Sequence, residues 1–269
     1  MNASRSAIDA PFLPRLFAAV LIVILAAGGV AGCGDDETGP IGPGNTTTTG
    51  FTGLFATGTT SGKVTITING GTLAGPFPGH RAPQVGTHAV AASAVITPST
   101  GPGTALSGTY SDENDSLYLA GGGYELIAHY NDSADPPSIS GSLSGPGGYA
   151  VIFCILGASS TIKVYCGTYE SATTAANGTW SMVTIDTVLV GLAFPSAGDP
   201  SDLIGFGGSV ASTGATRAIE FVGGEPLYLE LTGSGSLDTA TNNVSGTWAL
   251  DDVSDVLDDA GTWTGSLRP

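Results

Sequence analysis

The sequence predicts an all-β protein, an antiparallel meander that forms a β-barrel or a sandwich. After residue 50, short runs of β-branched and aromatic residues alternate with clusters of Gly, Asn, Asp and Pro, and no window shows a sustained helical period. Turn signals recur at the spacing of about 8–12 residues that is typical of such folds. The chain has 269 residues, and we expect one β domain over residues 51–269, because all-β domains routinely reach about 200–250 residues.

The clearest strand is Lys63–Ile68, in which Val and Ile alternate with Thr up to the hairpin-turn signal Asn69-Gly70. Alternation predicts one buried face and one solvated Thr face. The same criteria predict strands at residues 87–97, 104–110, 116–130 with a break at 121–123, 138–144, 149–156, 161–170, 178–194 with a turn near Asp186, 203–212, 215–222, 226–237, 243–250 and 260–267. Short turns between successive strands imply antiparallel pairing of neighbours.

A Gly-Thr-aromatic triplet recurs five times and contains all three tryptophans of the chain. In a strand, the Gly and the aromatic residue share one face and the Thr points to the other. We interpret the repeat as a packing device in which each Gly leaves a gap that a neighbouring ring fills. The alternative interpretation is that the rings line a ligand cavity. The core aromatic residues of the repeat are Tyr110, Tyr169, Trp180, Trp248 and Trp263.

Two cysteines lie in neighbouring strand-like runs, Cys154 in 149–156 and Cys166 in 161–170. A hairpin formed by these runs would place the two side chains almost opposite each other. We therefore expect a disulfide, which would stabilise the fold by about 3 kcal/mol in the chain-entropy account. A redox pair is the alternative, but neither cysteine belongs to a C-x-x-C motif.

The first 32 residues have the features of an export signal, with Arg5 and Arg15 ahead of an apolar run over residues 16–27 that we expect to be helical. The next segment, Val30-Ala31-Gly32-Cys33, resembles the lipobox of bacterial lipoproteins. That resemblance implies cleavage before Cys33, acylation of its thiol with fatty acids such as palmitate, and a new N terminus at Cys33. Gly34 follows the cysteine where, in such lipoproteins, an Asp would imply retention at the inner membrane, so in a host with two membranes attachment to the outer one is expected. An uncleaved signal anchor is the alternative, and both place the remaining chain outside the cytoplasm.

Residues 33–50 are rich in Gly, Pro and Thr and carry no periodic apolar residues, which predicts a flexible tether. Beyond the tether, the segments Cys166-Gly167-Thr168-Tyr169 and Gly261-Thr262-Trp263-Thr264-Gly265 resemble β domains of exported bacterial proteins of unknown role, over about residues 105–267. The Gly-x-Trp pattern is similar, more loosely, to lipocalin and avidin barrels. The resemblance implies a β fold and does not indicate which ligand, if any, the domain binds.

Composition excludes several classes of function. The formal net charge is −16, and removal of residues 1–32 changes it to −17, so the field of the protein repels nucleic acid. The nucleophile elbow G-x-S-x-G is absent. The segment Gly58–Lys63 imitates a P-loop but is followed by Val64, where that motif requires Ser or Thr. We expect no cofactor.

Acidic residues gather at two sites between expected strands, 112–115 and 251–259. Asp251, Asp252 and Asp255 are weak candidate calcium ligands, although the run does not match the D-x-[DN]-x-[DN]-G loop. A zinc site would require His80 and His88 to converge with a carboxylate. The simpler interpretation is that both acidic sites are solvated hairpin tips without a metal.

These observations predict a membrane-anchored exported lipoprotein with a non-catalytic ligand-binding or structural β domain. Its partners would be the membrane, through the lipid anchor, and an unknown small molecule, glycan or protein. The competing class is an exported carbohydrate-active enzyme that uses paired carboxylates. An apolar cavity open at a barrel end would favour a binding protein, whereas a cleft with two convergent carboxylates would favour the enzyme. Three fully packed tryptophans would favour a structural domain.

Overall fold

The computed structural model describes residues 48–69, 89–146, 148–158, 160–172, 177–197, 202–225, 229–252 and 259–269. These residues form sixteen β-strands, paired antiparallel throughout, and contain no α-helix. The all-β fold is confirmed, and of the two predicted architectures the chain adopts the barrel. The export signal, Cys33 and the tether up to residue 47 lie outside the described residues. No helix long and apolar enough to cross a membrane occurs within the described ranges.

The first eight strands form one closed barrel in which each strand pairs with the next along the chain. The barrel closes because β1 also pairs with β8, with Phe51 opposite Leu156. Its strands are β1 (Thr48–Ala56), β2 (Ser61–Asn69), β3 (Ala89–Pro98), β4 (Thr104–Ser111), β5 (Ser116–Gly121), β6 (Tyr124–Asn131), β7 (Ser138–Gly145) and β8 (Gly148–Leu156).

The last eight strands form a second closed barrel of the same sequential order. It closes where β16 pairs with β9, which places Trp263 opposite Tyr169. Its strands are β9 (Lys163–Ser171), β10 (Asn177–Ile185), β11 (Val188–Pro195), β12 (Ile204–Val210), β13 (Thr216–Glu225), β14 (Leu229–Asp238), β15 (Asn243–Asp252) and β16 (Asp259–Arg268). The single meander expected over residues 51–269 is therefore divided into two closed sheets.

The interior of the first barrel is filled by large aliphatic and aromatic side chains. An eight-stranded barrel is just wide enough for side chains to fill it or for one small ligand to fit. All but one of the largest fully buried side chains of the described residues belong to this interior: Phe51, Phe55, Ile66, Ile68, Ile96, Leu117, Leu119, Leu126, Ile139, Leu143 and Ile152. The first barrel is thus a packed core.

The two barrels pack wall against wall. Leu54 of β1 and Phe153 of β8 turn away from the first interior and join a cluster with β9, β10 and β11 of the second barrel, which includes Val183 and Leu192. Buried hydrogen bonds cross this interface, among them one from Thr179 Oγ1 to the Thr57 carbonyl at 2.6 Å. Strands at the interface are consequently buried on both faces.

Strand β1 is the element that the sequence did not predict, and it begins at Thr48, inside the segment expected to be a tether. Residues 51–56 are all buried, since one face of β1 lines the first barrel and the other lies against the second. A strand buried on both faces has no polar–apolar alternation, and Gly53 interrupts its apolar residues.

The expected disulfide between Cys154 and Cys166 is wrong for this structure, in which both cysteines are free. Strand β8 already uses both edges, pairing with β7 and β1, and therefore cannot form a hairpin with β9. Cys154 lies in the interior of the first barrel, whereas Cys166 lies on the face of β9 opposite Tyr165. Burial raises the pKa of both thiols, that of Cys166 to about 11. Both thiols are therefore protonated at neutral pH, which does not fit a redox pair.

Candidate functional site

The second barrel contains a cavity of about 160 Å³ at one end. Its walls come from the strand halves that lead into the connections at 172–176, 196–203, 226–228 and 253–258. The lining consists of six aromatic rings, six aliphatic side chains and one carboxylate: Tyr169, Trp180, Met182, Ala193, Pro195, Ile204, Phe206, Phe221, Leu231, Trp248, Leu250, Asp259 and Trp263. The site is therefore an aromatic cavity inside a barrel, and we call it the aromatic cavity below.

Glycines of the repeat make room for the rings that line this cavity. A Cβ atom added to Gly246 would lie 2.7 Å from Cε2 of Trp263, and one added to Gly261 would lie 2.8 Å from Nε1 of Trp248. Carbon atoms in van der Waals contact are about 3.5–4.0 Å apart, so only glycine permits these ring positions. The repeat places rings over glycines of neighbouring strands, as the packing interpretation requires.

The rings contact one another edge to face. Trp180 and Trp263 have centroids 5.4 Å apart at an interplanar angle of 85°, and Tyr169 and Trp248 have centroids 5.7 Å apart at 83°. Such pairs are stabilised by about 0.5–1.5 kcal/mol beyond the apolar area that they bury. Trp180 and Trp263 are each only 4% exposed, whereas Tyr169 and Trp248 are partly buried. The remaining aromatic residue of the repeat, Tyr110, lies in the first barrel and is fully buried.

Two polar groups lie at the aromatic cavity in addition to the indole N–H groups. Asp259 accepts hydrogen bonds at Oδ1 from Ser171 Oγ at 2.6 Å and from the Ala260 amide at 2.8 Å. Burial, together with the negative charge of Asp259, raises the pKa of Tyr169 from its ordinary value of 10.0 to about 12. The phenol is therefore neutral over the physiological range.

Of the three candidate calcium ligands, the structure describes the side chain of Asp251 alone. Asp251 is exposed near the end of β15, the side chain of Asp252 is not described, and Asp255 lies outside the described residues. His80 and His88 also lie outside them. Within the described ranges, no group of three or more His, Cys, Asp or Glu side chains could hold a metal ion.

The acidic run at 112–115 forms the turn between β4 and β5. Asp115 in that turn accepts a hydrogen bond from the hydroxyl of Tyr110 at 2.8 Å. Burial is the main reason that the pKa of Tyr110 is raised, and the bond to Asp115 adds to the shift. This carboxylate thus helps to close one end of the first barrel.

A wider depression of about 620 Å³ crosses the outer wall of the second barrel between β12 and β15. It is lined by small and polar residues such as Gly208, Ser234 and Thr247. This surface is open to solvent, and two residues of the aromatic cavity, Phe221 and Trp248, also border it.

Sequence reasoning identified four of the six cavity rings but missed Phe206, Phe221 and Asp259. The two phenylalanines lie in expected strands, yet only the barrel brings Phe221 within 5.9 Å of Trp263 and Phe206 within 4.8 Å of Phe221, measured between ring centroids. Asp259 belongs to the acidic run 251–259 but was not among its candidate ligands. Its position at the start of β16 is the signal that could have identified it, because the first residues of a strand lie at a barrel end.

No protein family matches the chain, and no curated protein or solved structure matches it either.

Proposed function

We propose that this protein is exported, anchored to the outer membrane through lipid on Cys33, and that its second barrel binds a small, mostly apolar molecule without catalysis. The observation that carries the proposal is the aromatic cavity, with a volume of about 160 Å³. Apolar surface that leaves water for such a cavity supplies the main driving force for binding.

The difference between the two barrels supports separate roles, a structural role for the first and ligand binding for the second. Both are eight-stranded, and that size either fills with side chains or holds one small ligand. The first barrel contains the large buried side chains, whereas the second leaves space between its rings. The first barrel would then be a structural partner that buries one wall of the second.

The arrangement of carboxylates favours binding over glycoside hydrolysis. Glycosidases use two carboxyl groups about 5–9.5 Å apart across the scissile bond. Among the described residues that line the aromatic cavity, Asp259 is the one carboxylate, and it already accepts bonds from Ser171 and Ala260. A purely structural role is less favoured because Trp248 is not fully packed.

The test is a native mass spectrum of the full-length protein, extracted gently from membranes of its own host. We expect a mass that lacks residues 1–32, carries acyl chains, and includes a non-covalent small molecule that is released by collisional activation. The variant Ala193→Phe, which adds a ring to the cavity wall, should lack the small molecule and keep the acyl chains.

Each part of the proposal can fail separately in this experiment. An unacylated mass that retains residue 1 would refute the lipid anchor and support a signal anchor. An acylated protein without any non-covalent mass, in both the parent chain and Ala193→Phe, would refute the ligand-binding role.

A further inference from the structure

The depression of about 620 Å³ on the outer wall of the second barrel is bordered by three consecutive residues from each of the strands β12, β13, β14 and β15. The antiparallel register arranges these residues in three rows that run across the strands. The middle row, whose two rings turn towards the barrel interior, is Gly208, Phe221, Gly233 and Trp248. Because no side chain of this row stands outward, the depression is a groove with backbone as its floor. We call it the outer groove.

The two sides of the outer groove differ in polarity. One side consists of exposed residues with hydroxyl or carboxylate groups: Ser209, Glu220, Ser234 and Thr247. The other side is mostly apolar and consists of Gly207, Val222, Thr232 and Ala249. Val222 is 49% exposed, which is unusual for a large apolar side chain in this protein. From the spacing of strands and of residues along them, the groove is about 14 Å long and about 7 Å wide.

The charge of the outer groove excludes anionic ligands. Glu220 is its charged residue, and no basic residue is among the described residues that border it. The chain as a whole carries a formal net charge of −16. Phosphorylated, sulfated or carboxylated polymers are therefore repelled both by the groove and by the field of the protein.

The backbone pairing of the four strands disfavours an extended peptide. A peptide that adds to a sheet pairs with a free strand edge. Each strand that borders the outer groove already pairs with a neighbour on both sides. A peptide across the groove would therefore find no ladder of backbone partners. The outward side chains also lack the Trp, Tyr and Arg anchors that are typical of protein interfaces.

We propose that the outer groove binds a neutral glycan that lies across the four strands. Sugar hydroxyls donate to the carboxylate of Glu220 and exchange hydrogen bonds with the hydroxyls of Ser234 and Thr247, since Ser and Thr both donate and accept. The C–H groups of the sugar rings lie against Val222 and Ala249 on the apolar side. Binding here does not require the aromatic cavity to be occupied, because the cavity lies on the inner side of the same wall.

The test is a titration of ¹⁵N-labelled full-length protein, in a detergent without a sugar head group, followed by the backbone amide resonances. The neutral probes are cellohexaose, maltohexaose and chitohexaose, and the anionic control is hexagalacturonate. We expect at least one neutral hexasaccharide to shift amides of β12–β15 around the groove, and we expect hexagalacturonate to shift none of them.

Three substitutions at exposed positions assign the contacts, and such positions tolerate change without loss of the fold. Glu220→Ala should weaken binding of the responding hexasaccharide about tenfold or more, because a hydrogen bond to a charged group is lost. Thr247→Val, which keeps the side-chain shape and removes one hydroxyl, should weaken it about fivefold. The control Thr264→Val, on β16 outside the outer groove, should leave the affinity unchanged within about twofold.

Four results would overturn the proposal. They are no response to any neutral hexasaccharide, shifts confined to residues outside β12–β15, equal weakening by Thr247→Val and Thr264→Val, and a groove response to a (Gly-Ser)₆ peptide without one to the glycans. The last result would assign the groove to peptides. None of them bears on the aromatic cavity, whose ligand is tested separately by the native mass spectrum.

Discussion

Replacement of Gly246 by alanine tests directly whether glycine creates the space for the cavity rings. In the structure, Gly246 on β15 lies beneath the indole of Trp263 on β16. An added Cβ would lie 2.7 Å from Cε2 of Trp263 and 2.7 Å from the Cα of Gly235, and it would overlap the carbonyl oxygen of Ser234. The indole can move slightly, but a backbone carbonyl on a paired strand has no other rotamer.

The expected cost follows from these contacts. Normal separations of about 3.5–4.0 Å require Trp263 and Gly235 to retreat by about 1 Å and the overlapped Ser234 carbonyl to retreat further, so the cost is about 3 kcal/mol, the upper end of the usual range for overpacking. Alanine also restricts the conformations of the unfolded chain, which offsets this loss of stability by about 0.4–1 kcal/mol. We therefore expect Gly246→Ala to lower the free energy of unfolding by about 2–3 kcal/mol.

The assay is equilibrium unfolding in urea, followed by tryptophan fluorescence and by far-UV circular dichroism. All three tryptophans lie in the second barrel, so fluorescence reports on the barrel that carries the substitution. The matched control is Gly50→Ala, because a Cβ at Gly50 meets nothing within 4 Å. That control should be neutral or slightly stabilising. If Gly246→Ala were as stable as the parent chain, the seating of Trp263 on this glycine would be refuted.

Two further predictions concern the barrel interface and the cavity wall. Thr179→Val should destabilise the protein by about 1–3 kcal/mol, because it removes the buried donor to the Thr57 carbonyl. The control Thr264→Val, on the exposed outer face, should change the free energy of unfolding by no more than about 0.5 kcal/mol in the same urea assay. Equal effects of the two changes would mean that the cross-barrel bond does not hold the interface. Tyr169 should ionise near pH 12, measured as the difference in absorbance at 295 nm between the parent chain and Tyr169→Phe, and Asp259→Asn should lower this pKa. Because the folded-state pKa lies above the ordinary value of 10.0, the stability contributed by Tyr169 is fully present below pH 10 and is lost as the pH rises to about 12. A pKa of Tyr169 that does not respond to Asp259→Asn would contradict the placement of this carboxylate.

The local alternation of apolar and polar residues was sufficient to predict most of the strands. Strand β2 illustrates why, since Val64, Ile66 and Ile68 face the first interior and alternate with less buried residues. Where a strand is buried on both faces, that signal disappears, as in β1. Strand β8 is also buried on both faces, but its uninterrupted apolar run still predicted a strand, whereas Thr52 and Gly53 break the apolar residues of β1.

The expected disulfide failed for a related reason. Cys154 and Cys166 are close in sequence, and two adjacent strands joined by a short turn predict a local hairpin. Residues 157–162 are instead the link between the two barrels, because the edges of β8 are taken by β7 and β1. Which edge a strand uses is decided by partners far away in the chain.

The sequence by itself determined the all-β class, the positions of most strands and the shared strand face of each glycine and its aromatic residue, because these features depend on neighbours two residues apart on one strand. The tertiary structure alone decided the division into two barrels, the free cysteines and the aromatic cavity, since these depend on barrel closure between β1 and β8 and between β9 and β16. Among the described residues, the indole N–H of Trp248, unlike those of Trp180 and Trp263, has no acceptor. Three copies of one local motif thus acquired different roles from their positions in the barrel.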